Sequence, residues 1–176
     1  PEQVEYAHRA ILEPAVRALR EEGSPFVGVL YAGIIMTSQG PKVLEFNGRF
    51  GDPETQVVLP RLKTDLVDVI KACVDGTLGA LSVAWDDQAC VGVVLASEGY
   101  PDPYRTGYPI TGLDQLDDGV RVFHAGTAPQ QLQSNTGLRR LWATDLPQAP
   151  LEQLLSGNVL TAGGRVLSVV ATGPTL

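Results

Sequence analysis

Val4, Ala7, Ile11, Ala15, Ala18 and Leu19 recur at helical spacing over residues 2–22, with charges between them. The pattern predicts an amphipathic helix that stops at Gly23 and is kinked or split by Pro14. His8 rides on it as a surface residue. After Ser24-Pro25 the texture changes. Residues 26–37 are nearly all apolar and rich in Val, Ile, Leu and Tyr, which predicts a strand covered on both faces. Ser38-Gln39-Gly40-Pro41 is a turn cluster, and residues 42–47 form a second strand. Two strands across a short turn predict an antiparallel hairpin. Side chains alternate along a strand, so Glu45, Asn47 and Arg49 share one face, with neighbours roughly 7 Å apart. Leu44 and Phe46 are expected to point the other way, into a core.

Asp52 followed by Pro53 reads as an N-cap and first helical position, with Glu54 in the first turn. Pro60 ends or kinks that helix. Thr64 reads as the cap of another over residues 65–75, with Leu66, Val69, Ile70 and Cys73 on one face and Gly76 beyond it. From about residue 83, helical periodicity gives way to short β-like runs at 89–97, 120–125 and 165–171, separated by Gly and Pro. Residues 128–157 are polar and rich in Gln and Pro, with a short helix expected at 151–155. The fold class expected is α+β: a hairpin with packed helices, then a small β-rich domain.

Composition narrows the function. The net charge is −7 and no Lys/Arg cluster occurs, which argues against nucleic-acid binding but leaves room for a small anion in a local basic pocket. No run is long and apolar enough to span a membrane as a helix. Cys73 and Cys90 lack metal-site spacing and sit in apolar runs, so buried free thiols in a reducing cytoplasm are expected. The chain opens at Pro1 directly into a helix and closes just after a strand-like run, so a piece of a longer protein is expected. Trp85 and Trp142 carry no motif and read as packing residues.

The chemistry concentrates between Val43 and Thr55. Carboxylate and amide oxygens from Glu45 and Asn47 suit a hard cation. Arg49 beside them suits a carboxylate or phosphate held bidentately. Taken alone, Glu-x-Asn-x-Arg more often marks the solvated face of an edge strand. Asp52 and Glu54 serve either a helix start or a ligand. In the β-rich part, His124 could contact phosphate, although a hydrogen-bonded structural role is favoured. Arg105 lies in a Gly/Pro loop and Arg165 follows two glycines; either could reach a ligand.

Leu30-Tyr31-Ala32-Gly33 and the run Glu45-Phe46-Asn47-Gly48-Arg49-Phe50-Gly51-Asp52-Pro53-Glu54-Thr55-Gln56 resemble the phosphoribosylamine–glycine ligase (glycinamide ribonucleotide synthetase) family of the ATP-grasp superfamily. The similarity continues in order through Tyr104-Arg105-Thr106-Gly107, Phe123-His124-Ala125-Gly126-Thr127 and Gly163-Gly164-Arg165-Val166-Leu167. It implies that residues 1–82 are the C-terminal part of an ATP-grasp domain and 83–176 most of the family's C-terminal domain. It also implies ATP-dependent ligation of glycine to 5-phosphoribosylamine through glycyl phosphate, in purine (IMP) synthesis. Glu45 and Asn47 would hold Mg²⁺ or Mn²⁺. Arg49 would steady the glycine carboxylate or the acyl phosphate, and Asp52 and Glu54 would orient an amine or a water. Arg105, His124 and Arg165 are weaker substrate-binding candidates. A cytoplasmic monomer is expected.

The chain departs from the family in lacking its N-terminal region, with the glycine-rich phosphate loop and the lysines that hold ATP. Gly33 stands where many ATP-grasp enzymes carry an acid, and Ala162 where an Asn is expected. The chain alone is therefore expected to be inactive, with an incomplete set of metal ligands. Two other readings are a biotin-dependent carboxylase component and a non-catalytic binding module. The Asp52-Pro53-Glu54-Thr55 run and the second-domain motifs count against the carboxylase.

Overall fold

The computed structural model describes residues 2–130 and 158–175. The short helix expected at 151–155 and Trp142 lie outside the described residues. The chain divides into two units, Pro1–Asp87 and Gln88–Leu176.

The first unit begins with α1 (Glu2–Ala7), a π-helical turn (His8–Leu12) and α2 (Glu13–Glu21). Pro14 accounts for the interruption. It has no N–H to donate to the Ala10 carbonyl, and its ring crowds that carbonyl, so the wider turn relieves both. Gly23 ends the helix at φ +78°. Ser24 N–H donates to Leu19 O and Gly23 N–H to Arg20 O, which satisfies carbonyls the helix leaves open.

The hairpin comprises β1 (Tyr31–Thr37) and β2 (Gly40–Asn47), antiparallel. Thr37 stabilises the turn: its hydroxyl donates to Gly40 O at 2.8 Å and accepts from Gln39 N–H at 3.1 Å. The first strand is shorter than the apolar run at 26–37. Gly28 sits at φ +144°, and β2 stops at Asn47 opposite Tyr31, so earlier residues have no strand to pair with. Pairing slips by one residue between Gly33/Glu45 and Ile34/Val43, leaving Leu44 as a bulge. Leu44 and Phe46 do not enter a core; they are 69% and 46% exposed. Nor is β1 covered on both faces, since Ile35 and Met36 are also exposed. A sheet of two strands offers too little surface to bury them.

After the hairpin, helix α3 (Thr55–Val58) starts later than Pro53, and Glu54 holds the capping position without a side-chain cap. Gly51 O takes over that role, accepting from Thr55 N–H at 3.1 Å and from the Thr55 hydroxyl. Pro60 turns the chain through a 3-10 turn (Leu59–Arg61) into extended backbone at Leu62. Leu62 pairs with Trp85, and Asp86 N–H donates to Arg61 O at 2.7 Å, which ties residues 84–86 to this unit. Helix α4 (Leu66–Val74) is capped by Asp65, whose carboxylate accepts from Val67 N–H at 2.7 Å. Thr64, expected as the cap, instead accepts from Ala84 N–H at 2.7 Å. Asp65→Ala is expected to lower stability by about 1 kcal/mol, read as a lower urea midpoint with unchanged slope.

The second unit holds the buried core. Strands β3 (Ala89–Ala96), β5 (Val120–His124) and β8 (Arg165–Gly173) form one antiparallel sheet with β8 in the middle. The short strands β4 (Pro109–Ile110), β6 (Thr127–Pro129) and β7 (Val159–Thr161) form another, centred on β7. Central strands are shielded from both sides, so β8 reads as a near-continuous apolar run rather than an alternating one. Val166, Leu167, Ser168 and Val170 are buried on it, with Val159, Leu160 and Ala128 from the other sheet. Cys73 and Cys90, expected to be buried, are free thiols that the structure leaves half-buried. At the corner between β5 and β6, Gly126 N–H donates to Arg165 O and Gly126 O accepts from Ala162 N–H. A Cβ at Gly126 would lie 2.6 Å from both Gly163 Cα and Arg165 O, so the two backbones touch where only glycine fits.

Candidate active site

Paired residues on antiparallel strands project to the same face. The register Tyr31↔Asn47 and Gly33↔Glu45 therefore places Tyr31, Glu45 and Asn47 together on the hairpin. That face is one wall of a cleft of about 410 Å³, whose opposite side is the exit loop with Arg49, Gly51, Asp52 and Glu54. All five residues expected at the chemical end of the site line this cleft. Leu44 lines it too, because the bulge turns it there.

Contacts within the cleft pair its groups. Asn47 Nδ2 donates to Glu45 Oε1 at 3.0 Å, closer than strand spacing alone requires. Gly33 opposite leaves Glu45 its room: a Cβ there would meet Glu45 Cγ at 3.2 Å. Arg49 Nη1 donates to Phe50 O at 2.7 Å, which leaves further guanidinium N–H groups for an anion. Gln56 Nε2 donates to Asp52 Oδ1 at 3.1 Å across one turn, while Gln56 Oε1 is buried with no partner among the described residues. Tyr31 OH donates to Glu54 Oε1 at 3.1 Å. That hydrogen bond, then desolvation and the Glu54 and Glu45 charges, push the Tyr31 phenol up from its ordinary value, so it keeps its proton and remains a donor at neutral pH.

Three carboxylates and one guanidinium share the cleft, so it favours cationic ligand groups beside a single anion-binding point. Among the described residues no three or more His, Cys, Asp or Glu side chains gather closely enough to cage a metal. The acids are thus spread, with Glu45 beside Asn47 and Glu54 held by Tyr31. A second cleft of about 450 Å³ runs along α2 past Leu12, Val16, Arg17 and Arg20. Its acid, Glu13, is engaged with His8 at 3.2 Å.

The remaining candidates belong to the second unit. His124 ends β5, exposed, with Nδ1 3.0 Å from Thr127 Oγ1. Arg165 opens β8 opposite Ala96. Arg105 lies in the loop between β3 and β4. Tyr100 and Tyr104 brace that loop, with ring centroids 6.0 Å apart, and Tyr100 packs over Gly164 so closely that a Cβ there would lie 2.3 Å from its ring. Tyr31 and Gly51 were not marked as site residues by the sequence pattern. The alternation does not reveal Tyr31, because without the bulge it would face Phe46 instead of Asn47.

Comparison with known proteins agrees on a family. Residues 1–55 match the family described as "Phosphoribosylglycinamide synthetase, ATP-grasp (A) domain", and residues 90–176 match "Phosphoribosylglycinamide synthetase, C domain". A phosphoribosylamine–glycine ligase of Halalkalibacterium halodurans is 56% identical over 99% of this chain and 34% of its own length. One from Brucella melitensis is 40% identical over 100% of this chain and 36% of its own. The trifunctional purine biosynthetic protein adenosine-3 of Gallus gallus is 45% identical over 92% of this chain and 14% of its own. The crystal structure of a phosphoribosylamine–glycine ligase from Thermotoga maritima superposes with a TM-score of 0.69 at 27% identity, covering 99% of this chain and 37% of that one. The chain spans about a third of the length of the bacterial relatives it matches. Through its matches to both the ATP-grasp domain, which carries the cleft and the run from Glu45 to Glu54, and the C domain, the chain belongs to the phosphoribosylglycinamide synthetase family.

Proposed function

We propose that this chain supplies the metal-holding end of an ATP-dependent ligase that joins glycine to 5-phosphoribosylamine. The products are glycinamide ribonucleotide, ADP and phosphate, in a cytoplasmic step of purine synthesis. Residues 1–82 then act as the C-terminal part of the ATP-grasp domain and 83–176 as the family's C-terminal domain. The observation that carries this reading is the single cleft gathering Glu45, Asn47, Arg49, Asp52 and Glu54 in a chain of this family.

The γ-phosphoryl group of ATP and the glycine carboxylate are both anionic, so bringing them together needs cations. Arg49 can hold the glycine carboxylate, or the acyl phosphate it becomes, through guanidinium N–H groups that Phe50 does not occupy. Glu45 and Asn47 offer hard oxygens of the kind that hold Mg²⁺ beside substrate phosphates, and such sites use one or two protein ligands plus water. Mg²⁺ or Mn²⁺ bound there supplies neutralisation of the charge that builds on phosphate oxygens. Asn47 can contribute its oxygen once its NH₂ leaves Glu45. Asp52 and Glu54 can orient an amine. Fixing both reactants contributes up to about 7–11 kcal/mol when geometry is ideal. No enzyme nucleophile is needed, since the amine of 5-phosphoribosylamine attacks glycyl phosphate directly. Arg105, His124 and Arg165 are proposed to contact substrate from the second unit.

Product analysis tests this reading. A full-length protein containing this chain, given ATP, glycine and 5-phosphoribosylamine, is expected to form glycinamide ribonucleotide and ADP in equal amounts. ADP formed without the amide product contradicts it. The 176-residue chain alone is expected to release no ADP above background.

A further inference from the structure

We propose that Tyr31 is a positioning residue of this site, which together with Gly51 sets the Glu54 carboxylate to receive an ammonium group of an amine-bearing substrate. The proposal rests on the ligase reading above.

Two independent features converge on Glu54. From the hairpin side, Tyr31 OH donates to Glu54 Oε1 at 3.1 Å, a contact between residues 23 apart in sequence. From the loop side, Glu54 Oε2 lies over buried Gly51, where a Cβ would sit 2.5 Å from it. The carboxylate is therefore held at one oxygen and admitted at the other by a missing side chain. A glutamate with several rotatable bonds loses most of its freedom this way before substrate arrives. The cleft gives its anion-binding point to Arg49 and its cation pair to Glu45 and Asn47. Of the two other acids, Asp52 accepts from Gln56 Nε2 one turn along, whereas Glu54 is fixed across the cleft by Tyr31 and suited to a charge-assisted hydrogen bond from an amine. Both substrates other than ATP carry an amine, and the experiment separates them.

The test uses full-length protein and compares wild type, Tyr31→Phe, Gly51→Ala, Glu54→Ala and the two double variants that contain Glu54→Ala. Tyr31→Phe removes only the hydroxyl. Gly51→Ala mainly displaces the carboxylate end of the flexible Glu54 side chain, with Glu54 Cβ at 3.2 Å yielding by a few tenths of an ångström. Each single variant is expected to raise KM for one amine substrate, glycine or 5-phosphoribosylamine, by about tenfold, with KM for ATP within about twofold. Whichever KM rises identifies the amine that Glu54 receives. Neither change is expected to add to Glu54→Ala, because both act through that carboxylate. Unchanged amine KM values in Tyr31→Phe, or its full effect persisting beside Glu54→Ala, overturns the role of Tyr31. Absence of glycine-dependent turnover in the wild type contradicts the ligase reading instead.

Discussion

Glu45→Ala in the full-length protein is expected to reduce metal-dependent turnover by about a hundredfold or more while leaving the melting temperature nearly unchanged. The two halves of this result have separate causes. Glu45 is an exposed residue that accepts a hydrogen bond from Asn47 Nδ2, so the fold loses little when it is removed. In the proposed role the chemistry would lose one of two hard donors on that face, and the remaining amide would be a weak ligand by itself. Charge building on the transferred phosphoryl group then meets less neutralisation, an effect worth several kcal/mol in such sites. The check is initial rate against Mg²⁺ or Mn²⁺ concentration, paired with thermal unfolding. A variant with wild-type metal dependence would remove Glu45 from the set of ligands.

Gly126→Ala is expected to act on stability instead, and strongly. The new Cβ would lie 2.6 Å from Gly163 Cα and 2.6 Å from Arg165 O, and 2.8 Å from Gly163 N. These are backbone atoms of a corner held by the Gly126–Arg165 and Ala162–Gly126 hydrogen bonds, so no rotamer change relieves the collision. Overpacking of this kind costs about 1–3 kcal/mol or more. For a unit of this size each kcal/mol lowers the melting temperature by roughly 4–8 °C. Gly79→Ala is the matched control, since its Cβ meets no atom within 4 Å and Gly79 lies in a 3-10 turn, outside the positive-φ region. Calorimetry of the two variants should therefore separate them clearly, with Gly79→Ala close to wild type.

The parts of the fold visible in the sequence were those set by short-range periodicity. The hairpin follows from two β-rich runs across a turn cluster, and the pairing of Glu45 with Asn47 follows from strand alternation. The longer strands β3, β5 and β8 announce themselves as Val-rich runs between Gly and Pro. What escaped depends on register or on contacts distant in sequence. One extra residue at Leu44 moves Tyr31 onto the cleft face and turns Leu44 away from its expected core. Ala84, far along the chain, claims the Thr64 hydroxyl and leaves Asp65 as the cap of α4. Strands β4, β6 and β7, of two or three residues each, are too short to show any period. Glycines could be seen in the sequence, but only the structure shows that Gly51 admits Glu54 while Gly126 admits a crossing backbone.

In the proposed function, the full-length protein cleaves ATP in a glycine-dependent step that needs the Glu45 carboxylate of this cleft. ADP release from full-length protein tests it most directly when glycine, 5-phosphoribosylamine and the divalent cation are omitted one at a time, with Glu45→Ala run alongside. The expected result is rapid ADP release only from the wild type with every component present. ADP release that continues without glycine, or at the same rate from Glu45→Ala, would contradict the account.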